Sequence, residues 1–343
     1  MSIKRLVNRL GLPRLIIICF IFLLLIMTYI LDMDTESICG AALVRFGMNA
    51  VLVLAMVPPI ISGVGMNFSS PIAIVAGLLG GALSLEWGLT GITGILAAMV
   101  IGVVLGGFIG WAYCQLLNRI KGSELMIGTY AGFSVVSLMC IVWLALPFQN
   151  ESVRWPQGTG LRTIAMVEGY EKIFDNFLSF SIGRFTFPTG LLLVVGLFCL
   201  LMWLFLRSRT GMMMKAVGIN PMFAKSIGVK VDKMRSLSMV LSSSLSAIGI
   251  VIYAQSYGFY QFYSAPLMMA FAAVAAILIG GATHKSASVL NVVVGTLLFQ
   301  GMLTFALPIT NNLLPNSSIS EIVRIIVSNG IILYALTKAG EKK

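Results

Sequence analysis

Seven polar side chains stand within or at the edge of long apolar runs: Asn49, Asn67, Ser69, Ser70, Thr129, Tyr130 and Gln300. Amides and hydroxyls can replace water around a neutral polar solute and still release it, because none carries a fixed charge. Each can equally bond the backbone of a neighbouring helix, so residue type alone leaves a pathway and a structural role both open. Harder chemistry has few candidates. The chain holds one histidine, His284, and five cysteines scattered at Cys19, Cys39, Cys114, Cys140 and Cys199 without a C-x-x-C pair, too thin a set for zinc or haem. No G-x-x-x-x-G-K-[ST] occurs, nor any Gly-Lys pair, so no loop that could cradle ATP is expected here. Glu86, Glu124 and Glu321 fall near the ends of apolar runs, unlike the intramembrane carboxylates of a proton relay. Without a clustered His/Asp/Glu set a membrane enzyme is the weakest reading, and no cofactor or metal is expected in this chain.

The elements that must position these groups are membrane helices. Of 343 residues 58% are apolar and 10% charged, and mean hydropathy is +0.98; a soluble chain carries roughly a quarter charged residues. Apolar runs of spanning length cover about 15–31, 43–64, 71–85, 91–117, 125–146, 190–206, 237–257, 266–281, 289–307 and 321–336. The expected fold is therefore an all-α polytopic membrane protein of about ten transmembrane helices. The first run is too long for a signal core and no small-x-small cleavage site precedes Asp32, so it reads as a span.

Starting the amino terminus in the cytoplasm and alternating sides places 17 of the 23 Lys+Arg inside, as the positive-inside rule requires. The other six are Arg45, Arg154, Arg162, Lys172, Arg184 and Arg324, assigned to the outer side and its helix ends. Both termini are then cytoplasmic, with 1–14 an amino-terminal segment, 15–337 the membrane domain and 338–343 a tail. The net charge of +11 lies in these connectors, which argues against nucleic acid as a partner. The third run is short and opens Phe68-Ser69-Ser70-Pro71, which suggests a broken or re-entrant helix shielded by neighbours. Gly102, Gly106 and Gly110 lie four apart, one helix face that lets another backbone approach closely. In the outer segment, 148–187, a short amphipathic helix is expected around 164–178, for a soluble partner or the headgroups. Phe259, Tyr260, Phe262 and Tyr263 read chiefly as an aromatic interface belt.

The inner segment, 207–235, has the grammar of a short capped helix. Asn220 can cap it, Pro221 suits its first position, and Gly228 can end it in a left-handed turn. Met222, Phe223 and Ile227 can then share a face as apolar knobs amid Lys215, Lys225 and Lys230. A soluble protein could grip such a helix; anionic lipid is the other reading.

Ala216, Val217, Gly218, Asn220, Pro221, Ala224, Gly228 and Val229 resemble the A-[IV]-G-x-N-P-x-x-A-x-x-x-G-[IV] stretch of the ribose-type permease family of ATP-binding cassette importers. Gly65-Met66-Asn67-Phe68-Ser69 is similar to that family's G-I-D-L-S, and Ile279-Gly280-Gly281-Ala282 with Ser288-Val289 and Gly295-Thr296 to its I-G-G-x, S-V and G-T. Asn67 stands where the family carries Asp, and Pro71 where it carries Gly. The resemblance implies the importer permease fold, with a coupling helix built from Ala216, Gly218, Asn220, Pro221, Met222, Phe223, Ala224, Ile227 and Gly228. It implies separate cassette ATPase subunits that carry ATP and Mg, a second permease of identical or paralogous sequence, an extracytoplasmic solute-binding protein, and residence in a bacterial inner or plasma membrane. Expected cargo is a sugar or similar polyol, with nucleosides or a furanose-type signal as alternatives. An ion-coupled secondary transporter is the alternative of a different class.

Overall fold

The computed structural model describes residues 12–67, 69–119, 124–154, 164–167, 169–283 and 285–313, with Ile322, Ile326 and Gly330 singly. The chain begins with α1 (Leu12–Ile30), α2 (Thr35–Leu54), the short α3 (Val57–Ile61), α4 (Ser70–Glu86), α5 (Gly91–Arg119) and α6 (Glu124–Ala145). A segment of small elements follows: α7 (Glu151–Arg154), β1 (Ile164–Met166), α8 (Ile173–Asn176), β2 (Phe180–Ile182) and β3 (Phe185–Phe187). Then come α9 (Thr189–Arg207), α10 (Arg209–Ile219), α11 (Pro221–Ser226), α12 (Val231–Tyr257), β4 (Phe259–Gln261), α13 (Ser264–Ile279) and α14 (Val289–Leu313).

Among the described residues six helical stretches are long and apolar enough to cross a membrane: 35–61, 91–119, 128–145, 189–207, 231–257 and 289–312. Shorter apolar helices cover 14–30, 70–86 and 264–279. These nine coincide with the first nine expected runs; the tenth, 321–336, and His284 lie outside the described residues. An all-α polytopic membrane protein is what this arrangement gives.

At the centre α12 packs on α5, α4 and α2, while α14 packs on α2, α13 and α1. The expected glycine face is what brings α5 and α12 together. A Cβ at Gly106 would stand 2.9 Å from the Ser243 carbonyl oxygen, and one at Gly110 2.7 Å from that of Met239, so any side chain there would push the helices apart. The opposite face of α5 exposes Leu96, Val100, Val104, Phe108 and Trp111, a stripe suited to lipid. On α1, the Arg14 guanidinium donates to the Gly280 carbonyl at the end of α13, a favourable place for a cation.

The short third span differs from expectation in where it breaks. Helix α4 is continuous for 17 residues and almost wholly buried; the irregular backbone lies before it, from Ser62 onward, with Gly63 and Gly65 in the left-handed region. Ser62, Asn67 and Ser69 there are buried by protein, which is what non-helical backbone at membrane depth requires.

Two further expectations are corrected. In place of an amphipathic helix at 164–178, β1 pairs antiparallel with β4, Ala165 opposite Tyr260, and Gly169 at φ +89 prevents helical continuation. That pairing accounts for the second correction: Tyr260 and Phe262 are fully buried rather than displayed in a belt. Phe262 stacks on Trp143 with centroids 4.3 Å apart, and the Tyr260 hydroxyl lies 3.2 Å from that of Tyr170. Glu86, expected near a helix end, closes this platform by accepting from the Gln149 and Asn150 backbone amides.

Candidate functional site

A cavity of about 740 Å³ opens between α2, α12, α13 and α14. Asn49 and Gln300 both line it, from facing helices α2 and α14. Asn49 Nδ2 donates to the Arg45 carbonyl at 2.9 Å, which leaves its oxygen available. Gln300 is 6% exposed, and its amide makes no hydrogen bond among the described residues. Ser256, Tyr253, Tyr257 and Arg45 complete much of the polar lining. Arg45, expected at the outer side or its helix ends, stands one turn before Asn49 and lines the same space together with Lys172 of the outer segment. The signal was available, since an arginine inside an apolar run is costly and rarely idle.

The remaining pathway candidates go elsewhere. Asn67 and Thr129 line a separate void of about 10 Å³ with Pro71 and Phe133, room for about one water. Asn67 Nδ2 donates to Ser242 Oγ at 2.7 Å, and its Oδ1 accepts from the Ser69 backbone amide at 2.9 Å. Ser69 and Ser70 are buried, Ser70 Oγ lying 4.0 Å from Met56 Sδ. Tyr130 is 69% exposed on the outer face of α6. Within one chain, then, Asn49 joins Gln300 while Asn67 joins Ser69 and Thr129, and the two groups do not share a cavity.

The capped helix forms as its residues dictate. Asn220 Oδ1 accepts from the Phe223 amide at 3.0 Å, Pro221 opens α11, and Gly228 sits at φ +86. Ala224 is fully buried, while Met222 and Phe223 are 84% and 58% exposed; Ile219 and Ile227 are exposed beside them. Such a cluster of uncovered apolar side chains marks an interaction surface. Ala216 and Gly218 belong to α10, which leaves α9 at a break at Ser208 and is capped there by that serine's hydroxyl.

A contact between two glycines connects this knob to the interior. A Cβ on Gly218 would meet the Ile61 carbonyl oxygen at 2.1 Å, and one on Gly63 would meet Gly218 Cα at 3.0 Å. The end of α10 therefore rests directly on the turn after α3. From that turn, Ser62 Oγ lies 2.7 Å from Ser238 Oγ, and Ser242 Oγ accepts from Asn67 and donates to the Ala55 carbonyl at 2.6 Å. Backbone contact and buried hydrogen bonds thus join the end of α10, which leads into α11, to α12, one wall of the cavity. Ser62, Ser238 and Ser242 were not singled out from sequence, because a serine in a helix usually bonds its own backbone.

The family described as branched-chain amino acid transport system / permease component matches residues 38–335. The chain belongs to this permease family. Two curated relatives are themselves permease proteins of transporters. The permease is 25% identical over 241 residues to the nucleoside ABC transporter permease protein NupB of Lactococcus lactis subsp. cremoris (strain MG1363), covering 69% of this chain and 62% of that protein. It is 28% identical over 249 residues to the galactofuranose transporter permease protein YtfT of Escherichia coli (strain K12), covering 70% of each. The aligned stretch thus spans less than two thirds of the Lactococcus relative. No solved structure matches the permease.

Proposed function

We propose that this permease is the membrane subunit of an ATP-driven importer for a small polyhydroxylated solute of the sugar or nucleoside kind. The observation that carries the reading is the exposed knob of Met222, Phe223 and Ile227, seated through Gly218 and Gly63 on the helices that enclose the cavity. ATP and Mg are held by cassette ATPase subunits, whose closure pushes α11. A second permease, identical or paralogous, completes the path, and an extracytoplasmic binding protein delivers the solute. The chain resides in a bacterial inner or plasma membrane with both termini in the cytoplasm, so that Pro221–Ser226 faces the ATPase. Two relatives named for nucleoside and galactofuranose transport support the solute class.

In this mechanism the chain performs no bond chemistry. Ala216, Gly218, Asn220, Pro221, Met222, Phe223, Ala224, Ile227 and Gly228 form and support the coupling surface. Movement shifts the population between outward and inward access, while Asn49 and Gln300 exchange hydrogen bonds with the solute; Asn67, Ser69, Ser70, Thr129 and Tyr130 lie beside the route. Right-side-out vesicles loaded with ATP and its ATPase partner should import at least one member of a panel of sugars, sugar acids, sugar phosphates and nucleosides, and emptying the lumen of ATP should abolish uptake. Uptake that survives ATP removal and collapses with a protonophore would instead identify a secondary transporter.

A further inference from the structure

The position of Arg45 is unusual for a membrane helix. It lies ten residues into α2, about 15 Å along the axis from Thr35 at the helical rise, inside a stretch long and apolar enough to cross a membrane. Gln300, lining the same cavity, stands about 17 Å along α14 from Val289. The same cavity reaches Lys172 of the outer segment. A charged arginine within an apolar helix is costly and is retained where it faces a partner or a wet cavity.

Among the described residues Arg45 has no ion pair; the two salt bridges join Lys172 to Glu171 and Arg184 to Asp34. Among the described residues no Asp or Glu lines the cavity, whereas Arg45 and Lys172 both do. Lys172 pairs with Glu171 at 3.4 Å. Asp175 accepts from Ser256 Oγ at 3.0 Å and lies on the Lys172 side. A guanidinium is left as the uncompensated charge of a space whose other polar groups are amides, hydroxyls and the phenol ring of Tyr253, which stacks on Tyr257 at 5.2 Å. Low-dielectric walls strengthen its field inside the space.

From this geometry we infer that the solute carries an oxyanion, a carboxylate or a phosphate, which Arg45 receives, while Asn49 and Gln300 take its hydroxyls and Tyr253 and Tyr257 pack on its ring. The planar fork of arginine suits both anions bidentately. A purely neutral sugar leaves this charge unanswered; an anionic sugar or sugar phosphate answers it. The inference rests on the importer reading above for the direction of transport, not for the binding itself.

The test uses the full chain in phosphatidylcholine nanodiscs, with phenylglyoxal as an arginine reagent and the modification rate at Arg45 read by peptide mass spectrometry. Ribose 5-phosphate and galacturonate are the anionic probes, ribose and galactose the neutral ones. Arg45 is expected to react readily in the bare protein and to slow several-fold with one or both anions, the phosphate and carboxylate arms telling which oxyanion is preferred, with no slowing by either neutral sugar. Equal protection by the neutral sugars, or protection by none of the four, overturns the inference. So does an Arg45 inert to the reagent without any probe, since a closed group receives no solute. Protection by phosphatidylglycerol nanodiscs alone would assign Arg45 to a lipid headgroup and overturn it as well. The readout needs neither ATP nor ATPase, so its failure leaves the importer reading standing, and loss of ATP-dependent uptake leaves this binding result standing.

Discussion

Replacing Gly218 with alanine tests the joint between α11 and the interior at its tightest point. The new Cβ would sit 2.1 Å from the Ile61 carbonyl oxygen, 2.9 Å from its carbon and 3.1 Å from the Gly63 nitrogen. All three are backbone atoms, so no side chain can swing aside, and the segments must part by about 1 Å to restore ordinary contact. Overpacking of this kind destabilises by about 1–3 kcal/mol. If that strain is borne unequally by the two access states, the equilibrium between them moves by roughly 5- to 150-fold. The assay is solute imported per ATP hydrolysed in proteoliposomes holding the permease and its ATPase, beside a melting curve of the permease alone. Gly218→Ala should lower the import ratio by at least fivefold. Gly196→Ala is the control: nothing lies within 4 Å of its added Cβ, and an alanine in the middle of α9 should hold or slightly raise stability. A Gly218→Ala protein with wild-type melting and wild-type import per ATP would refute the reasoning, and a lowered melting temperature with unchanged coupling would reduce the contact to packing.

Phe223→Asp alters an exposed side chain, so insertion and melting should hold while ATPase co-purification weakens; Ala224→Asp, at a buried site, should lower both. Ser242→Ala strands the Asn67 amide and the Ala55 carbonyl, and unfolding in denaturant should register a loss of about 1–3 kcal/mol. Burial pushes the Tyr170 phenol up to about 12 from an ordinary 10, so between those pH values the folded protein holds a proton that the unfolded chain gives up. Stability should fall as pH rises through that window, by up to a few kcal/mol, and melting curves of Tyr170→Phe should lack that part of the fall.

Features written in neighbouring residues were legible in the sequence. Apolar runs of spanning length located the nine apolar helices, Asn220-Pro221 announced the start of α11, and the four-residue spacing of Gly102, Gly106 and Gly110 announced the face on which α5 meets α12. Features made by distant segments were not. Strands β1 and β4 are three residues each and 95 positions apart, too short for any alternation to show, and without their pairing Tyr260 and Phe262 look like interface aromatics. The side tally placed Arg45 with the outer charges but could not show that it lines a cavity, because tallying charges by side treats every arginine as a topology signal. Asn67 and Gln300 have similar side chains in similar apolar runs, yet one is bonded to Ser242 and the other faces a cavity. Only the neighbours decide between them.

The hydroxyls of α12 are evenly spaced. Ser238, Ser242 and Ser246 stand four apart on one buried row; the first meets Ser62 and the second holds Asn67 and Ala55. The third has no hydrogen bond among the described residues. Were α12 to slide by one turn, about 5.4 Å, Ser242 would come abreast of Ser62 and Ser246 abreast of Asn67, so the ladder would close again with its rungs renumbered.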